Sequence, residues 1–98
     1  MNFGLQDKTL AMIKSVMEKH PDVKDVMVYG SRAMGNYKEG SDVDLALLGE
    51  DIKQNTVLRI QQELEDLNTP YLFDVLAYNK LQDKSLKEHI DSIGTSIY

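Results

Sequence analysis

The chain predicts a small α/β domain, a three-stranded sheet with helices packed against it in two layers. Three observations carry that expectation. Segments with apolar residues at helical spacing alternate with short runs rich in β-branched residues. Pro21 and Pro70 fall between those segments and punctuate them. Ninety-eight residues, 42% of them hydrophobic and 28% charged, suit one modest core and leave no room for a second domain.

The elements follow in order. Leu5 to Lys19 carries Leu5, Leu10, Met12, Ile13, Val16 and Met17 at helical spacing, and Pro21 stops it. Val23 to Tyr29 is rich in β-branched residues and ends at Gly30, which reads as a strand. Ser31 to Gly35 reads as a turn or a single helical turn with Ser31 as its N-cap. Asn36 to Ser41 is a polar loop. Val43 to Leu48 is nearly all apolar, a strand expected to be buried on both faces. The loop before it is too short for a parallel crossover, so the first two strands are expected to be antiparallel or offset. Asn55 to Leu67 is an amphipathic helix with Val57, Leu58, Ile60, Gln61, Leu64 and Leu67, ended by Asn68-Thr69-Pro70. Tyr71 to Ala77 is a third strand. Leu81 to Ile93 is a last helix with Gly94 at its C′ position, followed by a short tail. Leu86, Ile90, Ile93, Ile97 and Tyr98 read as core first, with a docking surface as the alternative. No repeat, linker or low-complexity segment interrupts the order.

Composition removes several function classes. The net charge is -5 and no Lys/Arg cluster is present, which disfavours a polynucleotide partner. There is no cysteine, so disulfide frameworks and thiolate chemistry are excluded. The first ten residues include Gln6, Asp7 and Lys8, unlike a signal peptide, and no apolar run approaches the roughly 20 residues of a membrane helix. A cytoplasmic location is the expectation. No Gly-x-Gly-x-x-Gly follows the first strand, so the chain is not a Rossmann domain.

The informative stretch runs from Gly30 to Leu45. Positions i and i+2 of a strand point to one face, so Asp42 and Asp44 aim two carboxylates at one place. Asp74 lies among Leu72, Phe73, Val75 and Leu76, where a carboxylate is costly unless paired or bound to a cation. If its strand lies beside Val43–Leu48, three carboxylates meet. Two unit charges about 4 Å apart repel by roughly 4 kcal/mol at an effective dielectric near 20. Magnesium, which takes a few carboxylates with phosphate and water oxygens, fits such a corner. Two such ions can clamp the attacking and leaving oxygens of a nucleotidyl transfer. The Gly30-Ser31 pair offers close backbone approach and N–H donors to a phosphate, and Arg32 a charge-assisted contact. Gly30, Ser31, Arg32 and Ser41 are thus the candidate nucleotide contacts, and Asp42, Asp44 and Asp74 the candidate metal-binding and catalytic residues. His20 and His89, the only histidines, have no metal-ligand company.

Gly-Ser, ten residues, then Asp-x-Asp resembles the signature of the DNA polymerase β-like nucleotidyltransferases. The string GSRAMGNYKEGSDVDLAL is similar to their minimal nucleotidyltransferase branch, the MNT or MntA-like antitoxins, over nearly the whole chain. The resemblance implies a mixed sheet of the polymerase β-like core and ATP as substrate. In it Asp42 and Asp44 bind two magnesium ions, Asp74 is the third acid, acting as metal ligand or base, and Gly30 and Ser31 hold the triphosphate. Met34 departs from the pattern, where many members carry a second arginine. The resemblance also implies a HEPN-domain toxin as partner, adenylylated on a tyrosine. A chain this short cannot enclose a second substrate, in keeping with an acceptor that arrives on a partner in a hetero- or homo-oligomer. Two other readings compete: a non-catalytic module that blocks its partner sterically, and transfer to a small molecule such as an aminoglycoside.

Overall fold

The computed structural model describes residues 3–98. Four strands form one sheet in the order β3-β2-β1-β4: β1 (Asp25–Tyr29), β2 (Val43–Leu48), β3 (Phe73–Ala77) and β4 (Thr95–Ser96). β1 runs antiparallel to β2 and β4, and β2 runs parallel to β3. The parallel pair needs a crossover, which is supplied by α3 (Gln54–Glu65). The sequence alone suggests only a tail where the fourth strand lies. Its two residues pair Ser96 with Met27 and Thr95 with Val28.

The sheet is covered on both faces, so the two-layer expectation is corrected to three layers. One face packs on α1 (Asp7–Glu18) and α3 through Ile13, Val16, Met17, Val57, Ile60 and Leu64. The sheet answers with Val26, Val28, Val43, Leu45, Leu47, Phe73 and Val75. The other face receives α4 (Lys84–Ile93), whose Ile90 packs with Tyr29 and Ala46, flanked by Met27, Leu76, Leu86 and Ile93. Ile90 and Ile97 are core, while Tyr98 is exposed.

Local chemistry explains where the helices begin and end. α4 starts at Lys84, not Leu81, because Asp83 caps it by accepting from Leu86 N at 3.1 Å, and Tyr78–Lys80 forms a 3₁₀ turn first. Gly94 does not take the left-handed C′ conformation. It has φ −58° and ψ 136° and turns the chain straight into β4. Its lack of a side chain is required because a Cβ there would collide with the Ile90 carbonyl oxygen. His20, beyond the end of α1, reaches across to Glu63 on α3, with Nε2 and Oε1 2.6 Å apart. The outer edge of β3 is closed by one side chain. The Gln61 amide donates to Phe73 O at 2.6 Å and accepts from Val75 N at 3.0 Å, occupying groups that another strand could pair with.

Candidate active site

Tyr29, Asp44 and Asp74 form a row across β1, β2 and β3, each in register with the next. They share the face of Met27, Ala46 and Leu76, because residues two apart on a strand share a face. Asp42, two residues before Asp44, lies on the same side at the mouth of the preceding loop. The candidate acids therefore sit on the α4 face and not in the main core. Asp42 and Asp74 are exposed and Asp44 is half-buried. The sequence expectation of a buried Asp74 is corrected here. β3 alternates, with Phe73, Val75 and Ala77 buried and Asp74 turned outward. β2 departs from burial on both faces at the same row: Ala46 is covered, but Asp44 is not.

The acids act on one another. Burial raises the Asp44 carboxyl above the usual range and the charges of Asp74 and Asp42 raise it further, opposed by His89 only when that imidazole is protonated. The Tyr29 phenol is also raised well above its ordinary value, by burial first and then by Asp44 and Asp74. Among the described residues, no group of three His, Cys, Asp or Glu side chains is drawn close enough to hold a metal ion as it stands. The donor set nonetheless fits a hard divalent cation. It offers carboxylate oxygens only, two of the three acids are open to solvent, and the repulsion that adds to burial in raising Asp44 is what a cation relieves.

Gly30 sits against this row. It opens α2 (Gly30–Met34) with φ +73°, a conformation that favours glycine, and a Cβ there would collide with Asp44 Oδ2. The Gly30 N–H donates to His89 Nε2 at 3.1 Å. Tyr29, not Ser31, is the N-cap of α2, and no side chain caps it. Ser31 is instead in the first turn, and its hydroxyl hydrogen-bonds to no described residue.

Arg32 is turned away from a phosphate role. Its side chain is only 1% exposed. Nη1 donates to Phe3 O at 2.9 Å, while Nε and Nη2 donate to Ser41 O at 3.1 and 2.9 Å. The guanidinium lies 5.1 Å from the ring centres of both Tyr37 and Tyr71. The expected phosphate contact of Arg32 is corrected to a clamp that holds the end of the loop before Asp42. Ser41 belongs to that clamp: its carbonyl receives Arg32 and its Oγ accepts from Lys38 N at 2.8 Å. Of the signals for a clamp, Tyr37 is near Arg32 in sequence, but Tyr71 and the Phe3 carbonyl are too distant to be paired with it in advance. His89 was missed for the same reason, since it stands 59 residues from Gly30.

The polymerase beta nucleotidyltransferase family model matches residues 11–98. A Methanocaldococcus jannaschii protein named as a protein adenylyltransferase is 35% identical over 81 residues, covering 78% of this chain and 85% of that protein. Solved structures share the fold. A toxin–antitoxin complex with AMP-PNP aligns with TM-score 0.76 at 18% identity, over 91% of this chain and 72% of that one. An MntA–HepT complex aligns with TM-score 0.71 at 16% identity, over 95% and 72%. The MNT antitoxin in complex with the tri-AMPylated HEPN toxin of Shewanella oneidensis aligns with TM-score 0.72 at 16% identity, over 96% and 72%.

Proposed function

The chain belongs to the polymerase beta nucleotidyltransferase family, and we propose that it transfers AMP from ATP, with magnesium, to a tyrosine hydroxyl of a HEPN-domain toxin. On this reading the transfer neutralises the toxin. The observation that carries the proposal is the in-register pair Asp44 and Asp74, with Asp42 beside it and the Gly30 backbone pressed against Asp44. The reading is supported by a relative named for protein adenylylation and by fold neighbours solved with HEPN toxins and with AMP-PNP. No helix among the described residues is long and apolar enough to cross a membrane.

Asp42 and Asp44 are the residues suited to hold magnesium, with Asp74 as a further oxygen donor. The ions supply charge neutralisation for the triphosphate and the developing oxyanion. The Gly30-Ser31 turn and the Ser31 hydroxyl hold the phosphates. The acceptor oxygen attacks the α-phosphorus, the bond to the bridging oxygen breaks, and pyrophosphate leaves with that electron pair. The acceptor proton passes to Asp74, whose exposed carboxylate faces the open side. An in-line displacement puts acceptor and leaving group on opposite sides of the phosphorus. With pyrophosphate over Gly30-Ser31, the acceptor comes in over β3. There Leu72, two residues before Asp74, is 71% exposed and gives an aromatic acceptor an apolar contact.

The test is transfer of label from α-labelled ATP to the HEPN partner, run alongside toxin neutralisation. Asp42→Asn and Asp44→Asn are expected to lose both. Neutralisation kept at full strength by variants that transfer no label would reassign the protein as a steric blocker.

A further inference from the structure

We propose that His89 is a positioning residue of the nucleotide site, holding the Gly30-Ser31 turn in its working shape through the Gly30 N–H. The inference rests on the assignment of that turn to the triphosphate. It starts from an accounting of one backbone donor. Gly30 leaves β1 in a left-handed conformation, so its N–H has left the ladder that pairs Tyr29 with Asp44. A partly buried N–H of this kind needs an acceptor. The acceptor is His89 Nε2, at 3.1 Å, brought from α4 on the far end of the chain.

The bond fixes more than the donor. For Nε2 to accept, the imidazole must be neutral with its proton on Nδ1. The ring is also set by Tyr29, which it meets edge to face with centroids 6.2 Å apart and planes at 82°. One histidine thus touches the last residue of β1 and the first residue of α2. Gly30 in turn is in contact with the Asp44 carboxylate. A turn that relaxes when the N–H is released either presses on Asp44 or draws the Ser31 hydroxyl away from it. The distance between the phosphate-holding backbone and the acid row is therefore set by α4.

His20 shows what a purely structural histidine looks like in the same fold. It pairs with Glu63 and so joins the end of α1 to α3. His89 joins a helix to a catalytic turn.

Two substitutions separate the roles of ring and acceptor. His89→Phe keeps an aromatic ring beside Tyr29 and removes the acceptor. His89→Gln removes the ring and keeps an acceptor. Both are compared with the natural chain for hydrogen exchange of the Gly30 amide by nitrogen-15 NMR, and for the KM and kcat of label transfer from ATP to the partner. Losing one hydrogen bond of this type changes binding on the order of 3- to 10-fold. The expected result for His89→Phe is a Gly30 amide that loses protection while Val28 keeps its own. Its KM for ATP rises by about that factor, with kcat changed far less. His89→Gln is expected to keep Gly30 protection and a KM near the natural value. A His89→Phe protein with unchanged KM and a protected Gly30 amide overturns the proposal. So does a His89→Gln protein as impaired as His89→Phe, which makes the ring's packing the cause. Asp44→Asn serves as the separate control. If it still transfers label, the acid row is not the active site and the underlying reading fails, whereas the Gly30 exchange result stands by itself.

Discussion

The two faces of the sheet are built by opposite rules. The face under α1 and α3 is apolar at every position of β1, β2 and β3, with Val26, Leu45 and Leu47 fully buried beneath Ile60 and Leu64 of α3. The face under α4 is apolar only in its middle, where Met27, Ala46 and Leu76 meet Ile90. One row further along, the same face carries Tyr29, Asp44 and Asp74. Burial on the first face stabilises the fold. Charge crowding at the end of the second works against it, adding to the burial that first raises the Asp44 carboxyl. Packing and charge crowding are thus separated across one sheet, and the neighbours Asp44 and Leu45 face opposite sides of it.

Substitutions on each face break this comparison in different ways. The largest effect is expected at Asp42. Asp42→Asn should lower label transfer by about 10³-fold or more, equivalent to roughly 4 kcal/mol of transition-state stabilisation, while the melting curve stays cooperative. On the opposite face, Ile60→Ala should cost about 2–5 kcal/mol of stability in chemical denaturation and leave the KM for ATP unchanged in the fraction that remains folded. Arg32→Lys tests the link between the faces. A lysine cannot reproduce the fork onto Phe3 O and Ser41 O, and a buried carbonyl left unpaired costs about 1–3 kcal/mol. The same variant should weaken transfer through loosening of the loop before Asp42. Unchanged stability would show that the clamp is dispensable. The smallest effect is at Glu63. Burial raises its carboxyl, but the hydrogen bond and charge of His20, with help from Lys19, outweigh this and hold it below the usual range. Its contribution is therefore present above the ordinary glutamate range and is lost as pH falls through the depressed value. Glu63→Gln should remove about 0.2–1 kcal/mol and flatten that acid limb of the stability profile, the more so at low salt.

The sequence was readable where chemistry is local. Val43–Leu48 matches β2 to the residue, and of the two arrangements a loop too short for a crossover allows, antiparallel or offset, the structure has the antiparallel one. Asp42, Asp44 and Asp74 were singled out from two strands, and the structure brings two of them into register with the third beside them. What failed was non-local. β4 is two residues long, and pairing with β1, not its own pattern, makes it a strand. Arg32 next to a Gly-Ser turn suggests a phosphate ligand, yet Tyr37, Tyr71 and two distant carbonyls claim it. The apolar neighbours of Asp74 suggest burial, but alternation on a strand exposes it between Phe73 and Val75. His89 carried no signal at all until α4 was laid over Tyr29.

The central claim, that the acid row is kept at a cost to the fold in order to take up a cation and nucleotide, is tested by a single melting experiment on the natural chain and Asp44→Asn. The folded carboxyl is raised, so its ionised form weakens the fold; that loss begins as pH rises above the ordinary aspartate range and is complete once pH has passed the folded value. At neutral pH without ligand, Asp44→Asn should melt above the natural chain. With magnesium and ATP at about 100 times Kd, the natural chain should gain roughly 2.7 kcal/mol and overtake a variant that gains little. An Asp44→Asn protein that melts lower without ligand, or that responds to magnesium and ATP as fully as the natural chain, would contradict the account.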